Sequence, residues 1–316
     1  MATALVALGS NLGDRRELLD QALRDLADCA AIEVLAVSGY RETVAVGGPA
    51  GQAAFLNAAA RLRTALEPQA LLDELQAIEQ RLGRVRTERW GPRSVDLDLL
   101  LYEELQLDTP RLTLPHPRMA FRRFVLEPAA EVGGELLHAT TGWTVSRLLE
   151  HLNSAKPYVV VLTAGLEPFF AALGSTVSAT LLRFDWDRYR RSKAEVQAAV
   201  VCDYAAALEE ARWPADRGVV LGDCSLELLR ARHAADHAVA RAVDDAAKPR
   251  LTIVCCGPRP AKLPADFGVA ALDDAAVRAK LHTYAISPGH GPSQWIAAPD
   301  LAAAIDEAVA ALRAVE

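Results

Sequence analysis

The run Val95 to Tyr102 constrains the fold more than any other stretch of this chain. It reads Val-Asp-Leu-Asp-Leu-Leu-Leu-Tyr, apolar throughout except for Asp96 and Asp98. An apolar run this short, with turn residues upstream, is a buried strand. Side chains alternate along a strand, so the two carboxylates point to one side, with Cα atoms roughly 6.6 Å apart. Two such groups on a buried strand repel one another and cost free energy unless a positive charge lies between them. Directly upstream, Gly83 to Ser94 is a Gly/Pro-punctuated loop carrying Arg84, Arg86, Arg89 and Arg93. Guanidinium groups pair with phosphate oxygens, often bidentately. Mg²⁺ takes oxygen ligands and usually binds through one or two carboxylates plus substrate phosphates. Either half alone reads as well as a solvated basic loop or an exposed strand edge. Together they point to a Mg²⁺–nucleotide site for phosphoryl-group transfer.

A chain of 316 residues accommodates two domains of ordinary size. The net charge of −7 argues against general nucleic-acid or membrane-surface binding, and the arginine loop is a local exception suited to a small anion. No apolar stretch approaches the roughly 20 residues that span a bilayer, and Met1 to Asn11 lacks the basic start of a signal peptide. The five cysteines are scattered without a Cys-x-x-Cys spacing, which fits free thiols in a reducing compartment. A cytoplasmic protein is expected.

In chain order, Thr3 to Ala7 reads as a strand and Gly9 to Asp14 as a turn, with Asp14 a helix N-cap. As a phosphate loop this turn is weak, because it has neither the Walker lysine nor a G-x-G-x-x-G spacing. Leu18, Leu19, Ala22, Leu23 and Leu26 give a first helix. Glu33 to Thr43 reads as a second strand and Ala54 to Leu66 as a third, separated by a Gly-rich loop. Pro68 suits the first turn of a second helix striped by Leu71, Leu72, Leu75, Ile78 and Leu82, with Gly83 ending it. Gln76 and Glu79 lie off the middle of that stripe. After the Asp96/Asp98 strand, Arg111 to Arg118 is a Pro-bracketed extended piece, and Phe121 starts a helix through Ala130. The order βαββαβ with a short tail is an α+β ferredoxin-like domain.

These residues carry a resemblance. Ala7-Leu8-Gly9-Ser10-Asn11-Leu12-Gly13, Tyr40 to Thr43, Phe55-Leu56-Asn57-Ala58, Gly83 to Tyr102, Leu114-Pro115-His116-Pro117-Arg118-Met119 and Arg122-Arg123-Phe124-Val125-Leu126 stand in one order. In that order they resemble the 6-hydroxymethyl-7,8-dihydropterin pyrophosphokinases of folate biosynthesis, over residues 4 to about 150. The resemblance implies a cytoplasmic transferase that moves pyrophosphate from ATP to the pterin alcohol. It implies that Asp96 and Asp98 hold two Mg²⁺ ions bridging the ATP phosphates, with Arg84 and Arg93 catalytic. Phe55 and Phe124 would sandwich the pterin ring, with Asn57 and Thr43 at its edge and Asp96 beside it. Gln76, Glu79, Arg86, Arg89, Arg111, Thr113, His116 and Arg122 would serve ATP or its phosphates. Trp90 would close over ATP as a lid residue, and Leu99 would touch the adenine. Where the family often has proline after the Tyr-x-x-Thr segment, this chain has Val44-Ala45-Val46.

The first domain is expected to span residues 1–153 and the second 154–316. In the second, Tyr158 to Thr163 reads as a buried strand followed by a helix-like segment through Leu173. Thr176 to Phe184 is strand or helix, Asp185 to Glu210 one long helix, Gly218 to Leu221 a strand and Ser225 to Asp245 mostly helix. Leu251 to Cys256 is a strand, Ala275 to Ala285 a helix, Gln294 to Ala297 a strand, and Asp300 caps a last helix to Val315. Alternating strands and helices mean a three-layer α/β domain with a parallel sheet. The arrangement, with Gly291 to Ile296 before the last helix, is similar to the deoxynucleoside kinase group of P-loop kinases. After Val159 to Leu162, however, the chain reads Thr-Ala-Gly-Leu-Glu-Pro, with no Gly-Lys-Ser/Thr to hold phosphates. A kinase-like fold without a working phosphate loop is expected, serving support or homodimerisation; a nucleotide-binding or nucleoside kinase module is the alternative. His233 and His237 at i, i+4 suggest either a metal pair or a solvated helix face. For the whole chain the competing reading is a non-catalytic ligand-binding assembly module; the completeness of the acidic-pair and arginine set favours an enzyme.

Overall fold

The structure, a computed structural model, describes residues 1–46, 51–84, 91–155, 158–164, 169–177, 179–210, 220–222, 229–230, 233–245, 249–256, 292–297 and 301–314. The chain divides into two compact units, Met1–Leu152 and Asn153–Leu312, with the last few residues divided between them.

In the first unit, β1 (Ala2–Ser10), α1 (Arg15–Asp28), β2 (Ile32–Val37), β3 (Arg41–Thr43), β4 (Phe55–Thr64), α2 (Pro68–Arg81) and β5 (Asp96–Tyr102) follow in order. They build one antiparallel sheet in the order β2-β4-β1-β5, with β3 also paired to β4. This is the ferredoxin-like α+β arrangement, to which β3 is an addition. Asp14 caps α1 by accepting a hydrogen bond from the Glu17 N–H at 3.1 Å. Leu19, Ala22 and Leu26 of α1, and Leu71, Leu75 and Ile78 of α2, are fully buried against Val6 and Leu8 of β1 and Leu97 and Leu99 of β5. Each fully buried Leu or Ile contributes about 1.5–3 kcal/mol relative to exposure. Pro68 stands in the first turn of α2, and Gly83 takes the left-handed conformation just past its end, at φ 80°.

The other face of the sheet is covered only in part. There α3 (Arg123–Gly133) packs on β4 and β1. A small hairpin, β6 (Leu107–Asp108) with β7 (Thr113–Leu114), a 3₁₀ turn (Met119–Phe121), a second hairpin, β8 (Leu137–His138) with β9 (Trp143–Thr144), and α4 (Val145–Ser154) complete the unit.

The structure departs from expectation in three places here. β1 runs on through Ser10, so Gly9 belongs to the sheet rather than to the turn. The predicted strand Glu33 to Thr43 is two strands. Ser38 breaks it, its hydroxyl accepting from the Ala59 N–H at 2.9 Å while its own N–H donates to the Ala59 carbonyl at 2.9 Å. The helix predicted from Phe121 starts at Arg123, the preceding residues forming the 3₁₀ turn.

In the second unit, β10 (Tyr158–Ala164), α5 (Phe169–Thr176), β11 (Thr180–Leu182), α6 (Trp186–Arg191), α7 (Ala194–Glu210) and β12 (Val220–Gly222) are followed by α8 (His237–Asp245), β13 (Leu251–Cys256), β14 (Ser293–Ala297) and α9 (Leu301–Ala314). The strands form a parallel sheet in the order β11-β12-β10-β13-β14. The long helix expected over Asp185 to Glu210 is two helices. Ser192 is extended between them, and the Gln197 side chain donates to the Tyr189 carbonyl at 3.0 Å. His233 and His237 do not share a helix. His233 lies in the turn before α8 with Nε2 2.8 Å from the Tyr189 hydroxyl, and Asp236 caps α8 through the Val239 N–H at 3.1 Å. Among the described residues no group of three or more His, Cys, Asp or Glu is placed to hold a metal. The helix expected over Ala275 to Ala285, and Asp300, lie outside the described residues.

Candidate active site

The uncovered part of the first unit's sheet is a cleft of about 750 Å³ free of protein atoms and open to solvent. Strand register sets its floor. Gly9 of β1 sits between Asn57 of β4 and Asp96 of β5, and Ala7 sits between Ala59 and Asp98. Alternation turns Asp96 and Asp98 to this face while Leu97 and Leu99 enter the core on the other. Gly9 leaves the space. A Cβ there would lie 3.2 Å from Asn57 Oδ1 and 3.8 Å from Phe55 Cδ1.

At one end of the cleft stand Thr43, Phe55, Asn57 and Phe124. β3 pairs Thr43 with Phe55, and the Asn57 amide donates to the Thr43 hydroxyl at 2.8 Å. That bond fixes the amide plane, leaving its oxygen toward the cleft side of Gly9. Val44 and Val46 also line this end, and Val44 is 83 % exposed.

Toward the other end Asp96, Asp98, Arg93 and Arg122 line the cleft. The Arg93 guanidinium donates to Asp96 Oδ2. Arg84 Nη1 forms an ion pair with Asp96 Oδ1 at 2.7 Å and donates a hydrogen bond to Glu79 Oε1. Burial above all, and then the neighbouring Asp98, raise the Asp96 carboxyl above the usual range, against the pull of Arg93 and Arg84. Arg122, its guanidinium 5.5 Å from the Phe124 ring centroid, is pushed down by burial while Asp98 and Asp96 oppose the shift. His116 Nε2 is 4.0 Å from Asp98 Oδ2, and its Nδ1 accepts from the Arg118 N–H at 3.2 Å. Burial, with Arg122 and Arg118 nearby, lowers its pKa to about 3, so the ring is neutral at pH 7.

A hard cation fits these residues. Asp96 and Asp98 face the same way into the cleft, and among the described residues no third His, Cys, Asp or Glu joins them to complete a metal cage. That suits Mg²⁺, which fills its remaining positions with phosphate oxygens and water.

Several expected residues stand apart from the cleft. Leu99 offers it no side chain, being 3 % exposed within the helix-side core. Arg111 pairs with Asp73 at 2.5 Å, and the Thr113 hydroxyl donates to Asp108 at 3.1 Å, both on the surface. Gln76 is half-buried on α2 and Glu79 is 4 % exposed behind Asp96; neither lines the cleft. Arg86, Arg89 and Trp90 lie outside the described residues.

Sequence reasoning missed Asn11. It is 2 % exposed and ties together the two segments that flank the cleft. Its Oδ1 accepts from the Arg93 N–H at 2.7 Å, its own N–H donates to the Arg93 carbonyl at 3.1 Å, and its amide donates to Gln52 Oε1 at 3.3 Å. A polar residue inside a Gly-Ser-Asn-Leu-Gly turn carries no sequence signal for contacts 82 residues away.

Residues 5–134 match the family model described as 7,8-dihydro-6-hydroxymethylpterin-pyrophosphokinase. A 2-amino-4-hydroxy-6-hydroxymethyldihydropteridine pyrophosphokinase from Synechocystis is 41 % identical over 169 residues, which cover 52 % of this chain and 86 % of the relative. The chain belongs to this pyrophosphokinase family. The Bacillus subtilis pyrophosphokinase is 50 % identical over 129 residues, covering 41 % of this chain and 77 % of that relative. The Pseudomonas aeruginosa pyrophosphokinase is 48 % identical over 131 residues, covering 42 % and 80 %. Among solved structures, a crystal structure of Plasmodium falciparum HPPK-DHPS with pteroate has a TM-score of 0.38 at 11 % identity, covering 80 % of this chain and 66 % of that one. That likeness is too distant to relate the two folds.

Proposed function

We infer that this pyrophosphokinase transfers the pyrophosphoryl group of ATP to 6-hydroxymethyl-7,8-dihydropterin, giving the diphosphate ester and AMP for folate biosynthesis. The observation that carries the reading is one cleft with a flat-ring end, Phe55, Asn57 and Phe124, and a phosphate end, Asp96, Asp98, Arg93 and Arg122, joined across the small residues Gly9 and Ala7.

The pterin ring stacks between Phe55 and Phe124, each aromatic pair adding about 0.5–1.5 kcal/mol beyond burial. The Asn57 amide, held by Thr43, presents donor and acceptor to the ring edge. Asp96 and Asp98 would hold Mg²⁺, two ions in this reading, which would supply charge neutralisation to the triphosphate. Arg84, Arg93 and Arg122 bind phosphate oxygens, and neutral His116 donates a hydrogen bond there. The loop carrying Arg86, Arg89 and Trp90 contributes to ATP binding and to excluding water, which competes as nucleophile. The pterin hydroxymethyl oxygen forms a bond to the β-phosphorus as the bond from that phosphorus to the α–β bridging oxygen breaks. AMP leaves and the hydroxyl proton passes to water. Positioning and charge neutralisation account for the rate. For Gln76, Arg111, Thr113 and Leu99 an ATP role requires movement or backbone contact. The test is Asp98→Ala, which should lower AMP release by about 10²-fold or more; unchanged turnover removes the metal role.

For the second unit we infer a kinase-like three-layer fold, supported by the parallel order β11-β12-β10-β13-β14. Lacking the lysine of a phosphate loop, it serves support or homodimerisation, in a protein of the cytoplasm. Among the described residues no helix is long and apolar enough to cross a membrane. Tight Mg·ATP binding that persists when Asp96 and Asp98 are both replaced would contradict this reading of the second unit.

A further inference from the structure

Arg15 stands at the first position of α1, next to the N-cap Asp14. The first turn of a helix is the positive end of its macrodipole, where a cation is disfavoured. The partners of Arg15 lie in two other elements. Its Nη1 donates to the Ala54 carbonyl at 2.6 Å, and its Nη2 donates to Glu42 Oε2 at 2.8 Å. Ala54 precedes Phe55, where β4 begins, and Glu42 precedes Thr43, where β3 ends. Thr43 and Phe55 are the last pair of that ladder. One side chain thus spans two strands at the end where they supply the flat-ring end of the cleft. Neither Arg15 nor Glu42 is among the described residues that line it.

β3 has only three residues, and a ladder that short opens readily at its ends. Alternation turns Glu42 away from the face that Thr43 and Asn57 share, and its partner Leu56 packs against the helix-side core. Arg15 therefore holds the strands from the helix side and leaves the cleft side free for a ring. Because the Asn57 amide donates to the Thr43 hydroxyl, a drift of β3 off β4 would disturb Asn57 as well as Phe55. Glu42 is exposed, so the ion pair by itself adds little. The weight falls on the part-buried, charge-assisted bond to Ala54, which the pair orients through the rigid fork of the guanidinium. We propose that Arg15 is a positioning residue for the pterin, fastening Ala54 to Glu42 so that Phe55, Thr43 and Asn57 keep the spacing the ring requires. This rests on the reading of Phe55 and Asn57 as the pterin end of the cleft.

The test follows AMP release by the full chain, varying the pterin alcohol at saturating Mg·ATP and then the reverse. Arg15→Gln removes the charge and the fork, and glutamine is as good a helix former, so α1 is not disturbed. The pterin KM should rise about five- to tenfold, the scale of one charge-assisted hydrogen bond, while kcat and the KM for ATP stay within about twofold. Glu42→Ala should raise the pterin KM about threefold in the wild type and add nothing in an Arg15→Gln background, because both act through one guanidinium. A pterin KM within about twofold of the wild type, an equal rise in the KM for ATP, or the same effect of Glu42→Ala in both backgrounds overturns the proposal, even if urea unfolding shows lost stability. Phe55→Ala is the control for the reading beneath it. An unchanged pterin KM in Phe55→Ala overturns that reading and the proposal with it. A raised KM in Phe55→Ala with none in Arg15→Gln overturns the proposal alone.

Discussion

Replacing Gly9 by alanine tests the floor of the cleft. Gly9 lies in β1 between Asn57 and Asp96, and it is not one of the positive-φ glycines, so alanine adds no backbone strain. The new Cβ would lie 3.2 Å from Asn57 Oδ1, closer than ordinary van der Waals contact, and 3.8 Å from Phe55 Cδ1. The amide must yield by a few tenths of an ångström, but its nitrogen is tethered to the Thr43 hydroxyl at 2.8 Å. Overpacking inside a core costs about 1–3 kcal/mol; beside an open cleft the fold should lose ~1 kcal/mol or less. The methyl instead occupies space a flat ring needs. One methylene in a tight pocket is worth about 1–3 kcal/mol, or roughly 10- to 200-fold in binding. The assay is AMP release with the pterin alcohol varied at saturating Mg·ATP, then the reverse. The KM for the pterin should rise within that range while the KM for ATP stays within about twofold. An unchanged pterin KM, or equal rises in both, would refute the placement of the pterin on this floor.

Asn11→Ala leaves the Arg93 N–H without its 2.7 Å partner and should cost about 1–3 kcal/mol in urea unfolding. It should also lower kcat at least tenfold, because Arg93 loses its anchor; a stability loss with unchanged kcat would disconnect the two. His138 gives a pH prediction. It is 5 % exposed, and burial above all lowers its pKa to about 4. A folded pKa below the unfolded value of about 6.5 means the stabilisation is full above pH 6.5 and lost as pH falls toward 4, at ~1.4 kcal/mol per pH unit. His138→Gln should remove that slope relative to the wild type over this range, and parallel stability curves would contradict it.

The first unit was legible because its local signals agree with its packing. The stripes of α1 and α2 bury the side chains their spacing indicated, and the alternation of β5 separates Asp96 and Asp98 from Leu97 and Leu99. What escaped were effects of register. No local pattern marks Ser38 as a break, since it acts through Ala59 across the sheet. Gly9 read as a turn residue because a sequence cannot show which side chain lies opposite a glycine. Glu79 read as an ATP contact because its partners, Leu97 and Arg84, meet it only in the folded chain. In the second unit, β13 follows its apolar run, whereas the division of α6 from α7 depends on Gln197 capping Tyr189 from the next helix.

The account stands most directly on what the protein makes. Purified full-length protein, given ATP, Mg²⁺ and 6-hydroxymethyl-7,8-dihydropterin, can be followed by chromatography of nucleotides and pterins together. Equal amounts of AMP and a pterin diphosphate, with no AMP formed when the alcohol is omitted, are the predicted result. ADP with orthophosphate, or AMP released at the same rate without the alcohol, would contradict it.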